Sequence, residues 1–175
     1  MLQPASEPGD LYISYWLKFQ PDLVQKLSPP NGNWRVVFEW KTAGDYRVTC
    51  TIVTWGMFAG VNVPLSWKIA GDNNANGGLP LQVFWEAYSQ VPVPLDQWFK
   101  FEVFWHRSSG PDGRVWMAVN GQVLVDHYGP TMGIYNAAIN RIMVSQLYSS
   151  SAYPIYQWID DLQIWDGFPS DAAPH

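Results

Sequence analysis

The sequence predicts an all-β sandwich, and three observations lead to that prediction. Apolar and polar residues alternate with a period of two in one segment after another along the 175-residue chain. Clusters of Pro, Gly, Asn and Asp interrupt these segments at short intervals, as they do between the strands of sandwiches and barrels. Helical periodicity is weak, and the one short segment that suits a helix is Pro21–Leu27.

Each predicted strand is a run of alternating residues bounded by turn-forming residues. In the first run, the odd positions from Leu11 to Phe19 are apolar and predict the core-facing side. Asn120-Gly121 predicts a two-residue hairpin, because both residue types tolerate a positive φ. In chain order, the predicted strands are Asp10–Gln20, Trp34–Lys41, Tyr46–Trp55, Gln82–Ser89, Trp98–Arg107, Arg114–Val119, Gln122–Asp126, Arg141–Tyr148 and Gln157–Trp165.

The polar positions of several strands combine charged and aromatic residues. Alternation within Trp34–Lys41 places Arg35, Glu39 and Lys41 together on one side. If such strands are neighbours, they form a curved, charged and aromatic face that suits a glycan. The alternative is an ordinary solvated face of an amphipathic sheet. The charged residues at these positions are Lys18, Arg35, Glu39, Lys41, Arg47, Glu102, His106 and Arg141.

The amino-acid composition favours some classes of binding partner and disfavours others. Eleven Trp and nine Tyr exceed what one core of this size needs, and they favour a flat ligand such as a sugar ring. A net charge of −5 with only ten Lys and Arg argues against nucleic acid. No apolar run approaches the roughly 20 residues of a membrane helix. Cys50 is the single cysteine, which excludes an intrachain disulfide and a Cys-based zinc site.

Four segments together resemble a known group of proteins. The segments are Gly9–Tyr12, Trp34–Lys41, Trp98–Arg107 and Trp158–Trp165. In this order they resemble polysaccharide lyase-like proteins, a group similar to heparin lyase I, glucuronan lyase and the fungal cellulose-induced protein Cip. The resemblance covers about residues 9–168 and implies a concanavalin A-like jelly-roll β-sandwich of two antiparallel sheets.

The same resemblance implies a domain organisation. It predicts one jelly-roll domain over residues 1–168 and a flexible tail over 169–175. Relatives normally carry further strands before the Gly-Asp-Leu-Tyr element, so this chain is expected to be a shortened member. An edge strand without a neighbour favours pairing between copies, and we therefore expect a monomer or a weak dimer.

Polysaccharide binding is the predicted function, because it needs only the fold and exposed aromatic and charged side chains. The predicted substrate-binding residues are Arg47, Glu39, Glu102, Trp16, Trp55, Trp98 and Tyr148. Large polysaccharides lie outside the cell, so we expect a secreted protein, although Met1–Asp10 lacks the features of a signal peptide.

Polysaccharide lysis is the alternative, and the sequence leaves open whether the chain is an enzyme. A lyase must neutralise a uronate carboxylate, remove the proton at C5 and protonate the leaving oxygen. Arg35 or Arg47 suits the first step and His106 the second, with Tyr135 or Tyr148 as proton donor.

A short segment resembles a lyase motif. Gly129–Tyr135 loosely matches the Tyr-Phe-Lys-Ala-Gly-Val-Tyr motif of alginate and heparin lyases. Gly133 and Tyr135 match, whereas Gly129 and Thr131 replace the first Tyr and the Lys. Glycoside hydrolysis is less favoured, because the Glu-x-Asp-x-x-Glu string of jelly-roll glucanases does not occur in the sequence.

No cofactor is required by this interpretation, but a structural calcium ion is an option. In related jelly rolls, an acidic residue of the last strand often helps to hold calcium, an ion that prefers oxygen ligands. Asp161 or Asp160, together with Asp10, could do so here. The oxygen-rich segment Gly71–Gly78 is a second candidate, although such residues also simply make turns.

Overall fold

The structure is a computed structural model that describes residues 8–28, 33–54, 64–73, 80–135, 137–144, 149–170 and 172. Within these ranges the chain forms eleven strands and one short helix, α1 (Leu23–Leu27), which confirms the all-β prediction. The strands are β1 (Asp10–Phe19), β2 (Trp34–Thr42), β3 (Arg47–Val53), β4 (Ser66–Asp72), β5 (Val83–Ser89), β6 (Trp98–His106), β7 (Arg114–Val119), β8 (Gln122–Tyr128), β9 (Ile139–Met143), β10 (Ser149–Ser150) and β11 (Gln157–Trp165). No helix in these ranges has the length and hydropathy needed to cross a bilayer.

Two antiparallel sheets form the predicted jelly-roll sandwich. The five-stranded sheet has the order β11-β1-β6-β7-β8. The six-stranded sheet has the order β10-β2-β3-β4-β5, and β9 also pairs with β2. Every described pair of strands is antiparallel.

The core between the sheets is rich in aromatic rings. Trp40 and Trp105 lie 5.1 Å apart between ring centroids, and Trp67 stacks on Phe101 at 5.9 Å. A large part of the aromatic surplus therefore stabilises the sandwich and is not available to a ligand. The largest buried aromatic residues of this core are Tyr15, Phe19, Phe38, Trp40, Tyr46, Trp67, Phe99, Phe101 and Trp105.

Strand β4 was not predicted from the sequence, because its last residues have the composition of a turn. Gly71 pairs with Val48 on one side and Trp85 on the other, in the middle of the sheet. A Cβ atom at this position would collide with the Trp85 indole and the Tyr46 hydroxyl. Trp85 Nε1 donates a hydrogen bond of 2.9 Å to that hydroxyl. The glycine is therefore required by packing rather than by a turn.

A β-bulge in β2 changes which residues share a face. Between Val36 and Phe38 the register with β3 shifts, so that Arg35 pairs with Ile52 on the core side. The expectation that Arg35 shares a face with Glu39 is therefore wrong, because the bulge inserts one residue between them. Arg35 has no solvent-exposed surface.

The C-terminal segment covers part of the outer face of the five-stranded sheet. Phe168 packs on Phe104 at 4.2 Å and on Tyr12 at 5.5 Å between ring centroids. Ala172 packs against the same small cluster. The predicted domain limit at residue 168 stays a prediction, since residues 171 and 173–175 lie outside the described ranges.

Candidate functional site

Three cations lie side by side on the outer face of the six-stranded sheet. Lys41 of β2 is directly opposite Arg141 of β9 and directly opposite Arg47 of β3. Directly opposed residues of antiparallel strands project from the same face, with Cβ atoms about 5 Å apart. We call Arg141, Lys41 and Arg47 the cationic row.

Two buried carboxylates bind one member of the row. Arg47 Nε and Nη2 donate to the two oxygens of Asp72, at 2.6 and 3.1 Å. Arg47 Nη1 lies 3.2 Å from Glu39 Oε2. Glu39 and Asp72 are 1% and 5% exposed, so this ion-pair network lies in the floor of the face. Among the described residues, the predicted binding residues Arg47 and Glu39 are thus brought together.

The other two cations of the row have no such partner. Lys41 is only 6% exposed, yet within the described chain neither the Lys41 ammonium nor the Arg141 guanidinium forms an ion pair or hydrogen bond. Burial lowers the pKa of Lys41, Glu39 opposes that effect, and the positive charges of Arg141 and Arg47 lower it further. Three cations against two carboxylates leave one positive charge in excess, which an anion could balance.

Tyr135 is held beside the end of the β2–β3 hairpin that follows Lys41. Its backbone N–H donates to Asp45 Oδ2 at 2.7 Å, and Asp45 Oδ1 accepts from the Thr42 hydroxyl at 3.0 Å. Gly133 packs so closely on Asp45 that a Cβ atom there would collide with the carboxylate. The Tyr135 side chain itself is 66% exposed, so its phenol is accessible at this end of the sheet.

A cavity of about 270 Å³ lies at the same end. Its wall includes Asn73, which directly follows Asp72 of the ion-pair network. The volume is just below the roughly 300 Å³ at which ordinary ligand pockets begin. The cavity thus suits a small group or a single ring. Its lining residues are Asp45, Asn73, Pro80, Leu81, Gln82, Phe84 and Ile134.

The three predicted catalytic residues lie in three different environments. Arg35 is in the interior, 5.7 Å from the Phe19 ring, and donates to Gln157 Oε1 at 2.6 Å. His106 is on the outer face of the five-stranded sheet, on the opposite side of the sandwich from the cationic row. Among the described residues, no hydrogen bond or ion pair joins Arg35, His106 and Tyr135.

His106 belongs to an acidic environment instead. Its Nδ1 lies 2.5 Å from Asp10 Oδ1, and its Nε2 lies 3.7 Å from Asp112 Oδ2. The hydrogen bond with Asp10 raises the pKa of His106, with a smaller contribution from Asp112. A histidine held in this way favours its charged form, which is the wrong form for a general base.

The remaining predicted binding residues do not join the cationic row. Trp16, Trp98 and Glu102 lie on the outer face of the five-stranded sheet. Glu102 is buried there and accepts a hydrogen bond of 2.7 Å from Tyr12. Trp55 and Tyr148 lie outside the described residues.

The predicted calcium ligands do not fit one ion. Asp160 is opposite Trp16 on β1, whereas Asp10 begins β1 six residues earlier, about 20 Å away along the strand. Asp161 adopts a positive φ beside Asp160 in a bulge of β11. The described ranges contain no group of three His, Cys, Asp or Glu that could hold a metal. Most of the second candidate, Gly71–Gly78, lies outside those ranges.

Sequence reasoning did not select Lys41 and Arg141 as site residues. Alternation alone places both on polar faces of their strands. No local signal indicates that they are neighbours, because β9 pairs with β2 across most of the chain. An excess of Lys and Arg at the polar positions of strands is the one signal that points to such a row.

Comparison with known proteins identifies the fold. No family model and no curated protein matches the sequence. The alginate lyase Aly36B has a similar structure, with a TM-score of 0.57 and 14% identity over 91% of this chain and 70% of that one. A mutant of Aly36B in complex with alginate trisaccharide gives a TM-score of 0.59 and 15% identity, over 91% of this chain and 71% of that one.

A viral enzyme extends this similarity. The alginate lyase vAL-1 from Chlorella virus gives a TM-score of 0.52 and 7% identity, over 92% of this chain and 72% of that one. Identities this low demonstrate a shared fold and nothing finer. The narrower resemblance to heparin lyase I, glucuronan lyase and Cip stays a prediction. The chain shares the jelly-roll sandwich fold of these alginate lyases.

Proposed function

We propose that the chain binds an anionic polysaccharide along the outer face of the six-stranded sheet, with the cationic row holding a carboxylate of the polymer. One observation carries this proposal. Lys41 lies between Arg141 and Arg47, and only Arg47 has carboxylate partners in the described chain.

The energetics of the row support an anion. Like charges directly opposite each other on neighbouring strands are destabilising. Lys41 is also mostly buried, which makes its charge more costly to keep and less screened by salt. A carboxylate placed between Lys41 and Arg141 removes this repulsion. A ligand that brings a carboxylate to Lys41 and Arg141 therefore gains binding free energy from the repulsion that it removes.

A uronate is the favoured source of that carboxylate. A mutant of the similar lyase Aly36B is observed in complex with an alginate trisaccharide, and this chain shares its sandwich fold. The cavity lined in part by Asp45 and Asn73 adds room for one further small group at this end of the sheet. We therefore place alginate first among the polymers to test.

Affinity electrophoresis in alginate-containing gels tests this proposal. We expect wild-type protein to be retarded and Arg141→Gln to lose about tenfold in affinity, since one charge-assisted hydrogen-bonding partner is removed. Lys26→Gln is the matched control, because Lys26 lies on α1 away from the row, and its one ion pair among the described residues is with Asp22 at 3.9 Å. Equal retardation of wild type, Arg141→Gln and a neutral marker protein would disprove the proposal.

Lysis of the same polymer is a second candidate function. It is supported by the lowered pKa of Lys41, which increases the fraction of neutral amine at a given pH. In this scheme, Arg141 neutralises the uronate carboxylate, because Arg47 is already bound to Asp72 and Glu39, and neutral Lys41 removes the proton at C5. The bond between C4 and the glycosidic oxygen then breaks as a C4–C5 double bond forms, and the phenol of Tyr135 protonates the leaving oxygen.

The two functions are separated by their product. Lysis creates an unsaturated uronate, which absorbs in the ultraviolet, whereas binding leaves the polymer intact. We expect Tyr135→Phe to abolish any such absorbance while keeping retardation in alginate gels. Absence of absorbance with wild-type protein on alginate, heparin and glucuronan would leave binding as the function.

A further inference from the structure

Three exposed tryptophans lie on neighbouring strands of the other sheet. Trp16, Trp98 and Trp158 are on β1, β6 and β11, and they are 40%, 45% and 46% exposed. Lys18 is directly opposite both Trp98 and Trp158, and Trp16 is two residues from Lys18. All three indoles therefore project from the outer face of the five-stranded sheet. We call them the tryptophan platform.

The spacing of the platform follows from sheet geometry. Trp98 and Trp158 flank β1 and are separated by two strand spacings, about 9.6 Å. Trp16 is displaced from them by two residues along β1, about 7 Å. Trp98 and Trp158 are thus about one disaccharide length apart, and Trp16 lies to one side of the line that joins them.

Within the described part of the chain, the three indoles are free of aromatic stacking partners. One cation lies over one of them, since Lys18 Nζ is 5.9 Å from the Trp158 ring centroid. The other half of the same sheet face is covered, because Phe168 packs on Phe104 there. The C-terminal segment therefore shields one half and leaves the platform open.

The charges around the platform disfavour two classes of partner. Lys18 pairs with Asp96 at 3.0 Å and Lys100 pairs with Glu102 at 3.1 Å, so no excess positive charge is available for phosphates. Nucleic acid, which needs a basic groove along its backbone, is therefore disfavoured. Lys and Asp side chains between the indoles also differ from a protein interface, whose centre is depleted in both.

A sugar polymer fits a surface that combines exposed indoles with balanced charges. The flat apolar face of a pyranose ring can stack on an indole. Ammonium and carboxylate groups at the edges, such as those of Lys18 and Asp160, can bind its hydroxyls. We propose that the tryptophan platform is a second polysaccharide-binding surface, distinct from the cationic row and selective for neutral polymers.

Independence from the cationic row follows from the sandwich architecture. The two surfaces lie on the outer faces of different sheets, with the aromatic core between them. One is charged and the other is balanced in charge. Binding at the platform should therefore persist when salt is raised, whereas binding at the cationic row should weaken.

Variants of the full chain test the platform. The probes are gels containing hydroxyethyl cellulose, mixed-linkage glucan or xylan, together with sedimentation on insoluble cellulose. We expect wild-type protein to bind at least one of them, and Trp16→Ala or Trp158→Ala to weaken that binding about tenfold, because one stacked ring is lost. Trp158→Phe keeps an aromatic ring and should retain most of the affinity.

Trp165 provides a matched control, because it lies on β11 as Trp158 does. Trp165 has a similar exposure of 48% and projects from the same face, but it is opposite Tyr12 and not part of the platform. We expect Trp165→Ala to bind neutral polymers as wild type does. Arg141→Gln should also bind them normally, which separates this test from that of the cationic row.

Three results would overturn the inference. The first is that wild-type protein binds none of the neutral polymers. The second is that Trp16→Ala and Trp158→Ala, with unchanged circular dichroism, bind as well as wild type. The third is that wild-type protein dimerises without binding glycan and Trp158→Ala abolishes the dimer, which would assign the platform to a second copy of the chain.

Discussion

Arg47 donates two parallel hydrogen bonds to Asp72, from Nε at 2.6 Å and from Nη2 at 3.1 Å, across the β3–β4 pair. This contact fixes the guanidinium at one end of the cationic row. Breaking a buried pair by removing one charge leaves the other uncompensated, which costs about 3 kcal/mol or more. The loss of stability on removing the Asp72 charge therefore measures how firmly this end of the row is held in place.

The first prediction concerns this pair. We expect Asp72→Asn to lower the free energy of unfolding by about 3 kcal/mol in urea denaturation. Asp126→Asn is the control, because Asp126 binds Arg114 in the same two-bond geometry but is itself exposed. That control should cost less than about 1 kcal/mol. Equal effects of the two substitutions would contradict the interpretation.

The second prediction concerns Gly71. A methyl group at this position meets the Trp85 indole and the Tyr46 hydroxyl. We expect Gly71→Ala to destabilise the protein by about 1–3 kcal/mol, as overpacking does. Gly9→Ala is the control, since nothing lies within 4 Å of a Cβ atom there. Thermal unfolding of the two variants measures the difference. A Gly71→Ala protein as stable as wild type would contradict the close packing described for Gly71.

The third prediction concerns pH and His106. The hydrogen bond with Asp10 raises the pKa of His106 above its ordinary value of 6.5. A raised folded-state pKa stabilises the protein below about pH 6.5, and this contribution is lost as pH rises through the folded pKa. We therefore expect His106→Gln to cost more stability at pH 5.5 than at pH 8.5, both measured by urea denaturation.

The fourth prediction concerns His127, for which the sign is reversed. Burial lowers the pKa of His127, whose ring stacks on Trp85 with centroids 4.1 Å apart. Its contribution is present above pH 6.5 and is lost as pH falls through the lowered folded-state pKa. His127→Gln should therefore reduce the loss of stability that wild type shows on acidification. Parallel pH profiles for the His106 and His127 variants would disprove both assignments.

The fifth prediction concerns the single cysteine. Cys50 is fully buried in β3, and burial raises the pKa of its thiol. Because the thiolate is the reactive form, we expect native protein to resist alkylation by iodoacetamide. The same protein in urea should react at the rate of a free thiol. Mass spectrometry of both samples measures the difference, and rapid labelling of native protein would contradict the burial.

The fold class and the local turns could be predicted from the sequence, since both depend on residues that are close together in the chain. Period-two alternation identifies most strands, because successive side chains of a strand project to opposite faces. Asn120-Gly121 predicts its hairpin in the same way, and both residues adopt the positive φ that the turn requires, at 48° and 76°.

Alternation of apolar and polar residues predicts the wrong face of the sheet where a strand changes register. The bulge between Val36 and Phe38 moves Arg35 into the core while Glu39 stays on the outer face. A bulge is stabilised by contacts on both strands of a pair, so one strand read alone does not reveal it. The predicted grouping of Arg35 with Glu39 could therefore be corrected only by the three-dimensional structure.

The sequence by itself determined that the chain is an aromatic-rich sandwich with charged residues on the polar sides of its strands. Only the tertiary structure decided which of these residues meet. It placed Arg141 beside Lys41 and Arg47 on one outer face, and Trp16 beside Trp98 and Trp158 on the other. The physical reason is that pairing between distant strands depends on the packing of the whole core, which no local pattern records.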